Sequence, residues 1–188
     1  MRVFLFGSYG TGKTSLVSRY CYNTFNFDRF STISASFNEK TIVSNDESID
    51  IQFWDDNGGS QYRNTIPLAY RNTDGFIFVF DTSKADTLTE LEFYYNEFLK
   101  YKSNLSENPP ILVLGNKCDL GNCDEIESAM SRWCDLHKIH HKAIVSAKDN
   151  TNVYESIDTF IKEIYETYDL KCKNNSSLKH DSDQHSLC

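Results

Sequence analysis

Gly7-Ser8-Tyr9-Gly10-Thr11-Gly12-Lys13-Thr14 satisfies the spacing G-x-x-x-x-G-K-[ST] in full. The chemistry that this spacing serves is the cradling of phosphate. Gly7, Gly10 and Gly12 let the backbone curl until its N–H groups point inward at an anion. A helix opening near Lys13 adds its positive dipole end. Lys13 would reach the β- and γ-phosphates of a nucleotide, and the Thr14 hydroxyl would sit on Mg²⁺. Ser8, Tyr9, Thr11 and Ser15 complete the set of residues expected around the phosphates. The pattern implies a nucleoside triphosphate as ligand.

A second group of residues speaks to the base. In Asn116-Lys117-Cys118-Asp119 the Asp119 carboxylate can accept hydrogen bonds from guanine N1–H and from the exocyclic 2-amino group. Adenine lacks that amino group and carries an acceptor at N1, so it would leave the carboxylate unsatisfied. A polar site whose own groups are left unpaired rejects the wrong ligand strongly. Asn116 and Lys117 belong to the same loop. Ser146-Ala147-Lys148 forms a second base loop, with the Ala147 backbone N–H available to guanine O6.

These loops need strands to carry them. Met1–Phe6 reads as a buried strand, and Ser15–Cys21 as a helix with Leu16, Val17, Tyr20 and Cys21 on one side. Lys40–Val43 and Ile49–Trp54 alternate about a polar turn at Ser44–Ser48, as a hairpin does. Gly75–Asp81 and Ile111–Gly115 are unbroken apolar runs, the mark of strands buried on both faces. Ala143–Val145 supplies a sixth strand. Leu88, Leu91, Tyr95 and Phe98 fall at helical spacing, as do Ile126, Met130, Trp133 and Cys134, and then Val153 through Tyr168. The expected fold is α/β, a six-stranded mostly parallel sheet flanked by helices, with ligands at the carboxyl ends of the strands. Residues 1–170 are expected to form the nucleotide-binding domain. From Lys171 the sequence turns polar and aperiodic, so residues 171–188 read as a flexible tail.

Composition narrows the class. A chain of 188 residues suits one such domain and is too short for two. No apolar run approaches the roughly 20 residues of a membrane-spanning helix, and no secretory leader precedes the first strand. The net charge of −8 argues against non-specific binding to nucleic acid. The six cysteines form no C-x-x-C pair and have no histidine at zinc-ligand spacing, which reads as reduced thiols in the cytoplasm.

With Asp55-Asp56-Asn57-Gly58 matching D-x-x-G, the chain resembles the Ras superfamily of small GTPases along residues 1–168. The resemblance implies that Asp55 holds Mg²⁺ through water and that the Gly58 N–H meets the γ-phosphate of GTP. Thr32, eighteen residues after Thr14, would be the second hydroxyl ligand of Mg²⁺. Lys13, Thr32 and Gly58 would form the catalytic set. Phe25 falls where an aromatic ring packs edge-on against guanine, and it reads equally as core. Within the superfamily the chain is most similar to a divergent Rab. Ser31–Phe37 is similar to S-T-I-G-V-D-F, with Ser34 and Ser36 in place of Gly and Asp. Tyr62–Ile66 with Ala69-Tyr70-Arg71, and Gly75–Asp81, are similar to further Rab stretches. That implies a switch between GTP and GDP states in vesicle traffic, with an exchange factor, effector proteins and an activating protein as partners. Effectors would read residues 28–38 and 57–71, with exposed Phe30, Phe37, Trp54 and Tyr62 as anchors.

The departures bear on hydrolysis. Gly59 stands where the family has the glutamine that orients the attacking water, and glycine has no side chain to position anything. Tyr9 stands where the family has a small residue, and its ring would crowd the space in which that glutamine and an arginine finger meet. Arg29, three residues before Thr32, lies at a spacing similar to that of an arginine supplied in cis, although it reads first as a solvated arginine on a loop. The final residue, Cys188, fits neither of the usual prenylation patterns, and the tail has no polybasic patch. Attachment to an endomembrane would require prenylation of Cys188. Slow GTP hydrolysis is the expectation. A GTP-binding interaction module that does not hydrolyse is the alternative. A P-loop enzyme using ATP is opposed by Asp119 and Ser146-Ala147-Lys148.

Overall fold

In Gly75-Phe76-Ile77-Phe78-Val79-Phe80-Asp81 every second side chain is a phenylalanine and the side chains between them are aliphatic. Alternate residues of a strand face opposite sides of its sheet. All seven are buried, so the two faces of the sheet receive different chemistry from one strand. Val3-Phe4-Leu5-Phe6 repeats the pattern in the neighbouring strand, with Phe4 beside Phe76 and Phe6 beside Phe78.

The computed structural model describes residues 1–27, 36–44, 46–55, 73–102 and 109–167. Along the chain run β1 (Arg2–Phe6), α1 (Lys13–Tyr22), β2 (Ser36–Ser44), β3 (Glu47–Asp55) and β4 (Gly75–Asp81). Then come α2 (Ala85–Thr89), α3 (Leu91–Lys102), β5 (Ile111–Asn116), a 3₁₀ turn at Cys118–Leu120, α4 (Asp124–Leu136), β6 (His141–Ile144) and a helix α5 over residues 153–167. The strands form one sheet in the order β2-β3-β1-β4-β5-β6. Only β2 runs antiparallel to its neighbour; the remaining pairs are parallel. The expected six-stranded, mostly parallel sheet flanked by helices is therefore the fold observed.

On one face Val3, Leu5, Ile77, Val79, Leu112 and Leu114 pack against Leu16, Val17 and Tyr20 of α1 and Val153, Ile157, Phe160, Ile161 and Ile164 of α5. On the other, Phe4, Phe6, Phe76, Phe78 and Phe80 pack against Leu91, Tyr94 and Phe98 of α3 and Met130 and Cys134 of α4. The Phe6 ring lies 4.7 Å from Phe4 and 5.9 Å from Tyr94. Among the described residues no helix is long and apolar enough to cross a membrane.

Several boundaries differ from expectation, three of them for a visible physical reason. β2 begins at Ser36 instead of Lys40, because Phe37 pairs across the ladder with Trp54 and stacks on it at 5.4 Å. The periodic stretch from Leu88 to Phe98 is two helices, not one. Glu90 donates its N–H to Asp86 O in the i−4 manner, whereas Phe93 donates to Glu90 O in the i−3 manner, and the ladder breaks between them. β6 spans His141–Ile144, with Val145 just beyond it still donating its N–H to Gly115 O at 2.8 Å. Trp54, expected to be exposed, is half-buried between the Phe37 ring and the Arg2 guanidinium, which lies 5.2 Å from the indole. Arg29, Phe30, Thr32, Gly58, Gly59, Tyr62 and the tail with Cys188 lie outside the described residues.

Candidate functional site

Parallel strands bring their carboxyl ends to one edge, and every described motif residue sits there. Gly7 follows β1, Asp55 closes β3, Asp81 closes β4 and Asn116 closes β5. Ser146-Ala147-Lys148 follows β6.

The loop after β1 closes by backbone geometry that only glycine accepts. Gly7 has φ +148° and a Cβ there would lie 2.1 Å from Val79 O. Gly12 has φ +92° and a Cβ there would lie 2.3 Å from Asn116 Nδ2. Gly12 is also the N-cap of α1, with no side chain capping the first turn, so the positive end of the helix opens at this loop. Ser15 lies in that first turn. Thr11 is fully buried, and its hydroxyl donates to Ser8 O at 2.9 Å. The Lys13 ammonium is buried and donates to Gly7 O at 2.8 Å and Ser8 O at 3.3 Å, which holds it over the loop. The Thr14 hydroxyl donates to the carboxylate of Asp55, which is wholly buried. The Ser8 hydroxyl donates to Glu90, at the break between α2 and α3. Tyr9 turns its ring to solvent and is 60% exposed.

Two side chains, one closing β5 and one just after it, reach across to the phosphate loop. Asn116, almost fully buried, donates from Nδ2 to Thr11 O at 2.9 Å and accepts the Ala147 N–H on Oδ1 at 3.1 Å. Lys117, held in a left-handed conformation at φ 73°, donates to Gly10 O at 2.6 Å and to Asp81 Oδ2 at 2.7 Å. Burial alone would raise the Asp81 pKa. The hydrogen bonds from Lys117 and Ser83 outweigh it and hold the carboxyl below its ordinary value. Asp119 accepts from the Ser146 hydroxyl at 2.7 Å, and Lys148 Nζ lies 3.4 Å from its other oxygen. The Ala147 N–H, expected to be open to a base, is thus engaged by Asn116 Oδ1, and a base oxygen would have to share it. Phe25 is half-buried, packs against the aliphatic cluster and meets the exposed Phe27 edge to face at 5.0 Å.

The structure brings Gly7–Ser15, Asp55, Asn116, Lys117, Asp119 and Ser146–Lys148 to one place. Sequence reasoning missed Asp81, although an aspartate closing an otherwise apolar strand was a visible signal. It also missed Arg19, whose guanidinium donates to Ala147 O at 2.8 Å and Lys148 O at 2.9 Å from the body of α1. A lone arginine on a helix's polar side carries no signal in sequence. Among the described residues Cys21, Cys118, Cys123 and Cys134 are free thiols. Burial raises the Cys118 pKa within the base loop.

The family model described as Ras family matches residues 2–166. Ras-related protein RabT2 of Dictyostelium discoideum is 34% identical over 168 residues, spanning 88% of this chain and 76% of that protein. Ras-related protein Rab-32D of the same organism is 34% identical over 169 residues, spanning 88% of this chain and 74% of that protein. Ras-related protein Rab-7b of Bos taurus is 29% identical over 168 residues, spanning 89% and 84%. A phosphate loop bonded directly to an Asn-Lys-x-Asp loop, at the carboxyl edge of such a sheet and matched along this length, identifies the chain as a member of the Ras family, a divergent Rab-like small GTPase.

Proposed function

We propose that this small GTPase binds GTP and GDP through the residues gathered at the sheet's carboxyl edge, hydrolyses GTP slowly, and acts as a Rab-type switch in vesicle traffic. The observation that carries the reading is the direct bonding of Asn116 and Lys117 to Thr11 O and Gly10 O. It sets a base-reading loop and a phosphate loop at a fixed separation, which suits one nucleotide and poorly suits two independent ligands.

Each residue then has a task. The N–H groups of Gly10–Thr14 and the first turn of α1 receive phosphate oxygens. Lys13, already held over the loop by two carbonyls, offers its charge to the β- and γ-phosphates without a search through rotamers. Thr14 and Asp55 offer an all-oxygen donor set in mutual contact at the end of β3, which fits a hard divalent cation such as Mg²⁺. Bound there, Mg²⁺ would supply charge neutralisation at the phosphates. Asp119 reads guanine N1–H and the 2-amino group, with Ser146 and Lys148 fixing the carboxylate. Thr32 and Gly58 would draw onto the γ-phosphate in the GTP state, as the family resemblance implies. Effectors and an exchange factor would read the segments that differ between states. Residence on an endomembrane would depend on a lipid at Cys188, and one chain alone gives marginal attachment.

Gly59 favours a second reading, a GTP-binding module without hydrolysis. Single-turnover hydrolysis on purified protein separates the two. The base assignment is tested by Asp119→Asn, which replaces an acceptor with a donor opposite guanine N1–H. GTP affinity should fall and preference should move toward xanthine nucleotide, which has a carbonyl where guanine has its amino group. GTP binding that is unchanged in Asp119→Asn, or wild-type protein that takes ATP as well as GTP in competition, sinks the reading.

A further inference from the structure

Lys13 and Thr14 open α1 at the phosphate end of the site, and Arg19 lies on the same helix three residues before its end. From there the guanidinium divides its donors between two elements. Nε donates to Ala147 O at 2.8 Å and one terminal nitrogen donates to Lys148 O at 2.9 Å. The other terminal nitrogen donates to Asn23 O and Asn23 Oδ1, each at 2.9 Å, where the helix ends in a left-handed residue with φ 53°. Arg19 therefore grips two successive carbonyls of the base loop while it is itself braced by the end of α1.

We propose that Arg19 is a positioning residue that retains the base: it fixes the Ser146-Ala147-Lys148 loop to the helix that begins at the phosphates, and so sets both nucleotide dissociation and discrimination at the guanine edge. The inference rests on the reading of this site as a guanine-nucleotide site. The physical reason lies in which peptide groups are pinned. Asn116 holds the Ala147 N–H, and Arg19 holds the two carbonyls that follow. Three consecutive peptide units of the loop are thereby oriented from two different elements. The same loop supplies Ser146 and Lys148, the groups that orient the Asp119 carboxylate. A loop released from Arg19 keeps its Asn116 bond and loses the constraint on its far side. Asp119 then meets guanine with less definite geometry. A planar fork with donors in fixed directions suits two adjacent carbonyls, and an ammonium on a flexible stem does not reproduce it.

The test follows dissociation of fluorescently labelled GDP and inosine diphosphate from the full-length, Mg²⁺-loaded protein. Inosine lacks the 2-amino group, so the ratio of the two rates reports on the base edge alone. Chelation of Mg²⁺ accelerates release from the phosphate side and serves as an independent reading of that end. Arg19→Ala should speed GDP release by about tenfold, narrow the difference between GDP and inosine diphosphate, and leave the acceleration by chelator unchanged. Arg19→Lys should fall between wild type and Arg19→Ala. Millimolar guanidinium should slow release from Arg19→Ala and leave the wild type unaffected. Melting temperatures with saturating GDP show whether each variant is folded, and Arg19→Gln replaces Arg19→Ala if the latter is not. The proposal is overturned if release from Arg19→Ala stays within about twofold of wild type, or if both nucleotides accelerate equally while the chelator effect collapses, the pattern of a generally loosened fold. Wild-type protein that does not distinguish GDP from inosine diphosphate overturns the guanine reading itself and this inference with it. Wild-type protein that does distinguish them, with an Arg19→Ala variant that distinguishes them equally well, overturns the role of Arg19 alone.

Discussion

On the proposed reading, Gly59 stands where the family resemblance implies a glutamine that would hold the attacking water. Tyr9 stands where the resemblance implies a small residue; its ring is turned out to solvent in this structure, against the expected crowding, so the expectation of slow turnover rests chiefly on Gly59. Intrinsic GTP turnover should therefore be no faster than the ~10⁻⁴ s⁻¹ scale of an unassisted Ras-type site. The double variant Gly59→Gln with Tyr9→Gly should raise it, because the glutamine needs both a water to hold and volume in which to hold it. Wild-type turnover well above that scale, persisting in Arg29→Ala, would show that neither position is a catalytic loss. At this scale legibility followed chemistry. Lys13, Thr14 and Asp119 could be named as candidates from type and spacing, because a phosphate demands donors and the N1–H and amino group of guanine demand an acceptor. Arg19 and Glu90 could not be named, because what they hold is backbone or a hydroxyl from a distant segment, and nothing local to either residue encodes that.

Among the elements, the end of β4 and the loop after β5 are joined by Asp81 and Lys117, one carboxylate almost wholly buried and one ammonium partly so. Because the folded Asp81 has its pKa held below the unfolded value, its contribution to stability is fully present above about pH 4. That contribution fades as pH falls through the folded pKa. Asp81→Asn should cost about 1–3 kcal/mol at pH 7 and much less near pH 2.5, narrowing the stability lost on acidification. Urea midpoints of both proteins at the two pH values measure this; parallel loss of stability would mean that the pair contributes nothing. The strands themselves were readable because burial on both faces leaves unbroken apolar runs at 75–81 and 111–115. The start of β2 was not. Its first residues, Ser36 to Glu39, are mostly polar, and pairing there comes from Phe37 meeting Trp54 across the ladder. The break at Glu90 was equally hidden, since the apolar spacing continues through it.

For the molecule as a whole, the sheet separates an aliphatic layer beneath α1 and α5 from a phenylalanine layer beneath α3 and α4. Phe6 is fully buried, with the rings of Phe4, Phe76, Phe78 and Tyr94 all within 5.9 Å of it, centroid to centroid. Phe6→Ala should destabilise the protein by about 3–5 kcal/mol in denaturant titrations with saturating GDP. Leu136→Ala, at a side chain 76% exposed, should stay within about 0.5 kcal/mol. A Phe6→Ala cost below about 1 kcal/mol would mean that this layer is not close-packed. The bonds that tie the phosphate loop and α1 to the loops after β5 and β6 cross long stretches of chain: Thr11 to Asn116 over 105 residues, Gly10 to Lys117 over 107, and Arg19 to Ala147 over 128. During synthesis, then, the phosphate loop precedes Asn116 and Lys117 by more than a hundred residues and has only nearer bonds, such as Thr11 to Ser8 O, until they follow. A product truncated before the end of β5 carries the full phosphate motif and lacks the Asn116 and Lys117 bonds that join it to the loop after β5. Nucleotide binding should therefore be a property of the completed domain and should be lost in such a fragment.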